Sequence, residues 1–319
     1  MEHYEPPFII NEDIINLTAE IAELSGILSI SDTLSSNPVL RRENRIRTIH
    51  SSLAIENNTL SIDQVTAVIG GKRVLAPPDD IKEVQNAYEI YNQMDRHNPY
   101  SLDDLLYAHR IMTQDLIKES GRFRSGNAGV YAGQSLIHAG TPAAYVPSVM
   151  HDLFDWLKNS SLHPLVKSCI FHYEFEYIHP FADGNGRTGR LWHTLILSKW
   201  KPFFSWVPIE TLIHDYQEDY YKALNESNNR TDSAPFVHLM LELIKQALLE
   251  IQNTSNVSIE SLSDKVLLII KTHPTYSANK IASMLGISNR HVERIIKKLR
   301  ESGVLIRHGA TKGGYWEVI

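Results

Sequence analysis

The sequence predicts a mainly α-helical protein with one β-hairpin and a small C-terminal winged helix-turn-helix module. Three observations carry this prediction. Apolar residues recur at helical spacing through most of the chain. One segment, Gly121 to Pro147, breaks that spacing and is rich in glycine and small residues. The charge also changes sign near the end: Val257–Ile319 holds ten Lys/Arg against five Asp/Glu, while the preceding residues hold 21 against 32. That asymmetry marks a separate module.

Composition narrows the class. A chain of 319 residues fits two or three domains, and 43% hydrophobic with 21% charged residues fits a globular protein with a real core. The net charge of −6 argues against a protein that coats nucleic acid, while leaving room for a local basic patch. Cys169 is the single cysteine, so an internal disulfide is excluded and a reducing compartment is expected. The start, MEHYEPPFII, lacks the basic and apolar runs of a secretory signal. No apolar run approaches the roughly 18 residues of a membrane span. A cytoplasmic enzyme or regulator, not bound to membrane, is the expectation.

The elements follow in order. Ile46, Ile49 and Leu53 predict a helix from Arg41 to Asn57, with asparagines as stop residues. Ser61 and Gln64 form a capping box for the next short helix. Ala76–Asp80 stops the chain and starts a helix towards Met94, and Ser101 with Asp104 opens another through about Asp115. Val130–Tyr131 and Leu136–Ile137 are the apolar runs of the hairpin. A helix from Pro147 to Lys158 precedes a buried one carrying Leu165, Val166, Cys169, Ile170 and Tyr173. IQNTSNVS, from Ile251 to Ser258, reads as a polar linker.

The buried helix runs into HPFADGNGRTGR, His179 to Arg190. Pro180 disfavours helix at His179, so that ring stands at a turn where it can face a ligand. Phe181 can anchor the loop. Gly184, Asn185 and Gly186 permit backbone conformations in which amides converge on an anion at a helix start. Arg187 and Arg190 lie three apart on one face of that helix, which runs on to Lys199. Asp183 adds a hard oxygen suited to Mg²⁺ bridging phosphates. The set describes a polyphosphate site with a histidine base beside it. No G-K-[ST] follows the glycines, so it is not a P-loop.

The string resembles, at every specified position, the Fic family signature H-x-F-x-[DE]-G-N-[GK]-R-x-x-R. The resemblance covers about Ser101 to Lys245. It implies a Fic-type helical core in which the hairpin is a flap, and a protein adenylyltransferase that moves AMP from Mg²⁺-bound ATP to a hydroxyl of a target protein. By position, His179 would be the general base and Asp183 the metal ligand. Asn185 and the amides of Gly184 and Gly186 would hold phosphates, with Arg187 on the β side and Arg190 on the γ-phosphate. Ile137 and His138 would sit on the flap, which clamps the target by strand addition. Tyr220, Tyr221 and Asn228 would line the adenine pocket; without the family the tyrosines read as core aromatics. His172 is expected to be a packed core histidine.

The resemblance also bears on SSLAIENN, Ser51 to Asn58. Alone, Glu56 is a solvated acid at the unfavourable end of a helix. The stretch resembles the inhibitory pattern [ST]-x-x-x-E-[GN]-N through Ser52, Glu56, Asn57 and Asn58. The resemblance implies a bidentate pair between Glu56 and Arg190 that misaligns ATP. The implied domains are an N-terminal helical region 1–98 with the inhibitory helix at about 41–58, a catalytic core 99–250 and a winged helix 258–319.

In that last module Ser277 starts a helix with Ile281, Ala282 and Leu285. Gly286 turns the chain, and Ser288 caps a second helix with Ile295, Ile296 and Leu299. Arg290, Arg294, Lys297, Lys298 and Arg300 charge its other faces, and a wing is expected around Gly309–Gly314. Basic residues and a wing suit DNA phosphates; a protein-binding module of the same fold is the alternative. A nucleotide-sensing DNA-binding regulator, or a Fic variant that removes AMP or moves another phosphate-linked group, are the competing functions. Monomer and homodimer are both open.

Overall fold

The computed structural model describes residues 4–31, 34, 37–132, 135–309 and 314–318, the side chains of 30, 31, 129–132, 135–139, 254–261 and 264 excepted. The chain divides into two compact units, Met1–Leu249 and Glu250–Ile319.

The first unit is helical because its apolar residues repeat at helical spacing and its helices begin where the sequence supplies caps. After α1 (Glu12–Ser31), Asn37 caps α2 (Pro38–Ala54) by accepting from the Leu40 amide at 3.1 Å. Ile46, Ile49 and Leu53 of α2 are buried. Ser61 and Gln64 make the full capping box of α3 (Ile62–Ile69). Helix α4 (Pro78–Asn92) starts at a proline, and Ser101 caps α5 (Leu102–Met112). Strands β1 (Gly129–Ala132) and β2 (Ser135–Ala139) pair antiparallel, Val130 opposite His138 and Tyr131 opposite Leu136, with an irregularity between Val130 and Tyr131.

Helix α6 (Val146–Asn159) leads to α7 (Pro164–Ile178) and α8 (Asn185–Trp200), which pack together at the centre. Both are buried almost all round, as a central helix must be: Cys169, Ile170, Phe171, Phe175 and Ile178 on one, Leu191, Trp192, Leu195 and Leu197 on the other. The glycine-rich string joins these two helices, so its backbone is anchored at both ends in the core. Helices α9 (Ile209–Asp215) and α10 (Gln217–Arg230) follow, and α2 packs on α9. His172, fully buried, is a core histidine held near Tyr220 and His193.

Helix α11 spans Ala234–Thr272. The expected linker, 251–258, is therefore helical. That stretch contains no glycine or proline, so its polarity alone does not stop a helix.

In the second unit Ser277 and Ser288 cap α12 (Ala278–Leu285) and α13 (Asn289–Glu301), with Gly286 between them at φ 66°. Val266, Ile270, Ile281, Val292, Ile295, Ile296 and Leu305 form its core. Strands β3 (Leu305–His308) and β4 (Tyr315–Val318) pair antiparallel as the wing; residues 310–313 lie outside the described residues. Among the described residues, no helix is long and apolar enough to cross a membrane.

Candidate active site

The site is built where α7 ends and α8 begins. His179 caps α7 in the left-handed conformation, φ 53° and ψ 62°, with its amide bound to the Phe175 carbonyl at 3.0 Å. A non-glycine residue there carries strain of about 1–2 kcal/mol, which the surroundings must hold in place. Arg124 does much of that holding. Its Nε donates to the His179 carbonyl at 2.7 Å and its Nη1 to Gly126 at 2.8 Å, while Nη2 donates to the Thr141 carbonyl. One buried guanidinium thus ties the roots of the hairpin to the histidine turn.

Burial lowers the His179 pKa below the ordinary histidine value; nearby Glu176 opposes this and Arg124 adds to it. The ring is therefore neutral at pH 7, as a proton acceptor must be. Among the described residues, its Nδ1 is buried without a hydrogen-bond partner. Beneath it, burial raises Glu176 to about 7.

The loop after His179 folds on two supports. Asn185 donates to the Phe181 carbonyl at 2.9 Å, and its Oδ1 accepts from the Phe181 amide at 2.8 Å. Phe181 stacks on His109 at 3.6 Å between ring centroids. His109 accepts from the Gly121 amide through Nδ1, so Nε2 carries the proton and donates to the Asp183 carbonyl at 2.9 Å. Burial takes the His109 pKa down to about 4, so this neutral tautomer persists at physiological pH. Gly184 stands at φ 79°, and a Cβ there would come within 2.7 Å of Thr113 Cγ2.

Among the described residues, helix α8 then starts with no side-chain cap, so its first-turn amides are open to an anion. Two of the expected assignments change in detail. The Asn185 side chain is spent on Phe181 as a loop staple, not turned to a ligand. The Gly184 amide donates to Asp183 Oδ1 at 2.6 Å and is likewise occupied.

Arg190 lies buried on the second turn of α8. It is held by three acceptors from the end of α2: Ser52 Oγ at 3.1 Å, the Ser52 carbonyl at 2.8 Å and Glu56 Oε1 at 2.9 Å. In place of the expected bidentate fork, one carboxylate oxygen of Glu56 meets Nη2, and Ser52 holds Nε and shares Nη2. Burial opposes the Arg190 charge, but Glu56, Tyr220 and Glu176 outweigh it and raise its pKa. Glu56 stands directly over Gly186, where a Cβ would overlap Oε1. Asn57 takes the left-handed stop conformation at φ 70°. Asn58 is not at Arg190: its Nδ2 donates to Glu83 Oε2 at 2.8 Å and to the Asp80 carbonyl. Glu83 in turn binds Arg187 at 2.6 Å, and Arg187 also meets Asp183 at 3.2 Å.

The remaining expected residues are dispersed. Asn228 lines a cavity of about 240 Å³ with Tyr4, Thr141, Tyr173, Glu174 and Ile178, and accepts from the Tyr173 hydroxyl at 2.9 Å. Tyr221 is half-buried beside Gln217. Tyr220 is a core residue instead of a pocket wall; neighbouring positions on a helix point about 100° apart, and its hydroxyl meets buried His172 at 3.2 Å. Ile137 and His138 lie on β2, with side chains outside the described residues. Sequence reasoning missed Arg124, His109 and Glu83. Only His109 gave a signal, a histidine on the buried face of α5 with Leu105, Ala108 and Met112.

Residues 99–197 match the Fic/DOC family, and 261–315 match an HTH domain family. Protein adenylyltransferase fic-1 of Caenorhabditis elegans is 33% identical over 215 residues, 62% of this chain and 39% of that protein. Protein adenylyltransferase Fic of Nematostella vectensis is 28% identical, over 63% and 47%. The chain thus spans under half the length of these two relatives. A solved Fic family protein from Desulfovibrio desulfuricans G20 is 44% identical with a TM-score of 0.77, covering 99% of this chain and 98% of that one. With such likeness over both full lengths, on top of the motif geometry, the chain belongs to the Fic family.

Proposed function

We propose that this chain is a protein adenylyltransferase, moving AMP from Mg²⁺-bound ATP to a hydroxyl of a target protein or of itself. The observation that carries the reading is the convergence at one turn of a neutral histidine, an uncapped helix start and two buried arginines. The names of the Caenorhabditis and Nematostella relatives support it. The division into an N-terminal helical region 1–98 with the inhibitory helix at about 41–58, a catalytic core 99–250 and a winged helix 258–319 belongs to the same proposal.

His179 takes the proton of the target hydroxyl. The hydroxyl oxygen attacks the α-phosphorus, the bond to the bridging oxygen breaks, and pyrophosphate leaves. The amides of Asn185, Gly186 and Arg187 face the phosphates, and the two arginines balance charge on the leaving group. Among the described residues no three His, Cys, Asp or Glu side chains could hold a metal ion together. Asp183, more than half exposed, would hold a cation that arrives on the nucleotide. Mg²⁺ held so would neutralise phosphate charge. Glu56 inhibits by keeping Arg190 from the γ-phosphate.

The test is ATP labelled on its α-phosphate, given to wild type and Glu56→Gly with lysate as the target pool. Label should pass to protein, and more in the variant. Label from the γ-phosphate instead would mean kinase chemistry. Stripping of pre-labelled protein by wild type would mean AMP removal, with Glu56 positioning water. No label from either position would leave a nucleotide sensor as the better reading.

For the C-terminal module we propose duplex DNA as partner. Helix α13 buries Val292, Ile295 and Ile296 and carries Arg290, Lys297, Lys298 and Arg300 on its other faces. Binding should weaken steeply with salt. Salt-independent binding, or none, would turn the reading towards a protein partner.

A further inference from the structure

Arg187 has two carboxylate partners of different character. Its Nη1 meets Glu83 Oε1 at 2.6 Å, and its Nη2 meets Asp183 Oδ1 at 3.2 Å. Glu83 is 18% exposed, whereas Asp183 is 58% exposed. Glu83 is also held from its other oxygen, which accepts from Asn58 Nδ2 at 2.8 Å. Asn58 is itself fixed, its amide on the Leu53 carbonyl at 3.1 Å and its Oδ1 accepting from the Leu60 amide at 3.1 Å. Glu83 stands on a regular helix, α4, outside the twelve-residue motif. Glu83 is thus a rigid partner, and Asp183 an exchangeable one.

We propose that Glu83 is the positioning residue of Arg187. It keeps one edge of the guanidinium in place while the other edge passes from Asp183 to a phosphate. The inference rests on the nucleotide reading above and adds a residue to it. Arg187 and Asp183 are four apart at the start of α8, on one face. With Glu83 gone, nothing else in the described contacts draws the guanidinium away from Asp183. The arginine then closes on that carboxylate, and both groups are lost to a Mg²⁺-bound polyphosphate. A carboxylate that fixes a ligand-binding arginine acts through charge-assisted, directional hydrogen bonds, so geometry and charge both count. Asn58 supports the arrangement from behind Glu83. It stands two residues after Glu56, so one short segment reaches both motif arginines: Arg190 directly and Arg187 through Glu83.

The experiment measures affinity, not turnover, so activity is not the readout. The full chain carrying Glu56→Gly is titrated with ATP by calorimetry, with and without Mg²⁺. Glu83→Ala, Glu83→Gln and Asn58→Ala are then added singly, and Asn58→Ala is combined with Glu83→Ala. Thermal unfolding checks that each variant folds, and the isosteric Glu83→Gln serves if the alanine does not. Glu83→Ala should weaken Mg²⁺-bound ATP roughly tenfold, the lower end of what losing a group behind a metal ligand costs in affinity. Glu83→Gln should lose less, since its amide oxygen still accepts. The loss should shrink without Mg²⁺, because Asp183 then has no cation to meet. Asn58→Ala should move affinity less, in the same direction, and add nothing to Glu83→Ala. Unchanged or tighter binding in the Glu83 variants overturns the proposal and makes Glu83 a competitor of phosphate. An equal loss with and without Mg²⁺ also overturns it, as a merely structural role. A Glu56→Gly chain that binds no ATP would instead overturn the nucleotide reading itself, and this inference with it.

Discussion

Glu56 sits just past the C-terminal end of α2, where helix carbonyls disfavour an acid by about 0.3–1 kcal/mol. The fold resolves the conflict by standing that carboxylate over Gly186, in the first turn of α8, where amide ends favour it. An acid misplaced on its own helix is well placed on another. The close approach needs glycine, so Gly186→Ala, whose methyl would overlap Glu56 Oε1 and come within 2.8 Å of Arg190 Nη1, should push the carboxylate off the guanidinium with neither residue substituted. Self-labelling from α-labelled ATP should rise severalfold, and should not rise further when Glu56→Gly is added. A drop in labelling would mean that the methyl obstructs phosphate more than it displaces Glu56. The partnership of Glu56 with Arg190 spans 134 positions and was legible only through the resemblance. Glu83 was illegible, because on α4 it follows Asp79 and Asp80 and looks like one more solvated acid.

At the scale of elements, periodicity and caps did most of the work. Ser61 with Gln64, Ser101, Ser277 and Ser288 start helices where the sequence says they should. Polarity misled at 251–258, since a helix needs no apolar residue to continue, only the absence of a stop. The link between the hairpin and the histidine turn was also invisible. It depends on Arg124, a loop residue whose partners are all carbonyls and so leave no trace in side-chain pattern. Arg124→Ala strands those acceptors and should cost about 3 kcal/mol or more of unfolding free energy. Arg124→Lys should rescue little, because a single ammonium cannot fan out to carbonyls on both the hairpin and the turn. Chemical denaturation measures both. A loss below about 1 kcal/mol would mean that the turn holds its left-handed histidine without this tie.

Within the first unit, residues that precede the matched Fic segment reach both arginines inside it. Three acceptors from the end of α2 surround Arg190, and Asn58 with Glu83 reach Arg187. The central claim is that Glu56 restrains AMP transfer by occupying Arg190, and a double-mutant cycle tests it directly. Transfer rates are compared for wild type, Glu56→Gly, Arg190→Ala and the double variant at saturating Mg²⁺-bound ATP. Residues sharing one contact are coupled, commonly by about 0.5–3 kcal/mol. Glu56→Gly should raise the rate strongly in the wild-type chain and hardly at all once Arg190 is alanine. If Glu56→Gly raises the rate by the same factor in both backgrounds, Glu56 acts by some route other than Arg190, and the latch described here is wrong.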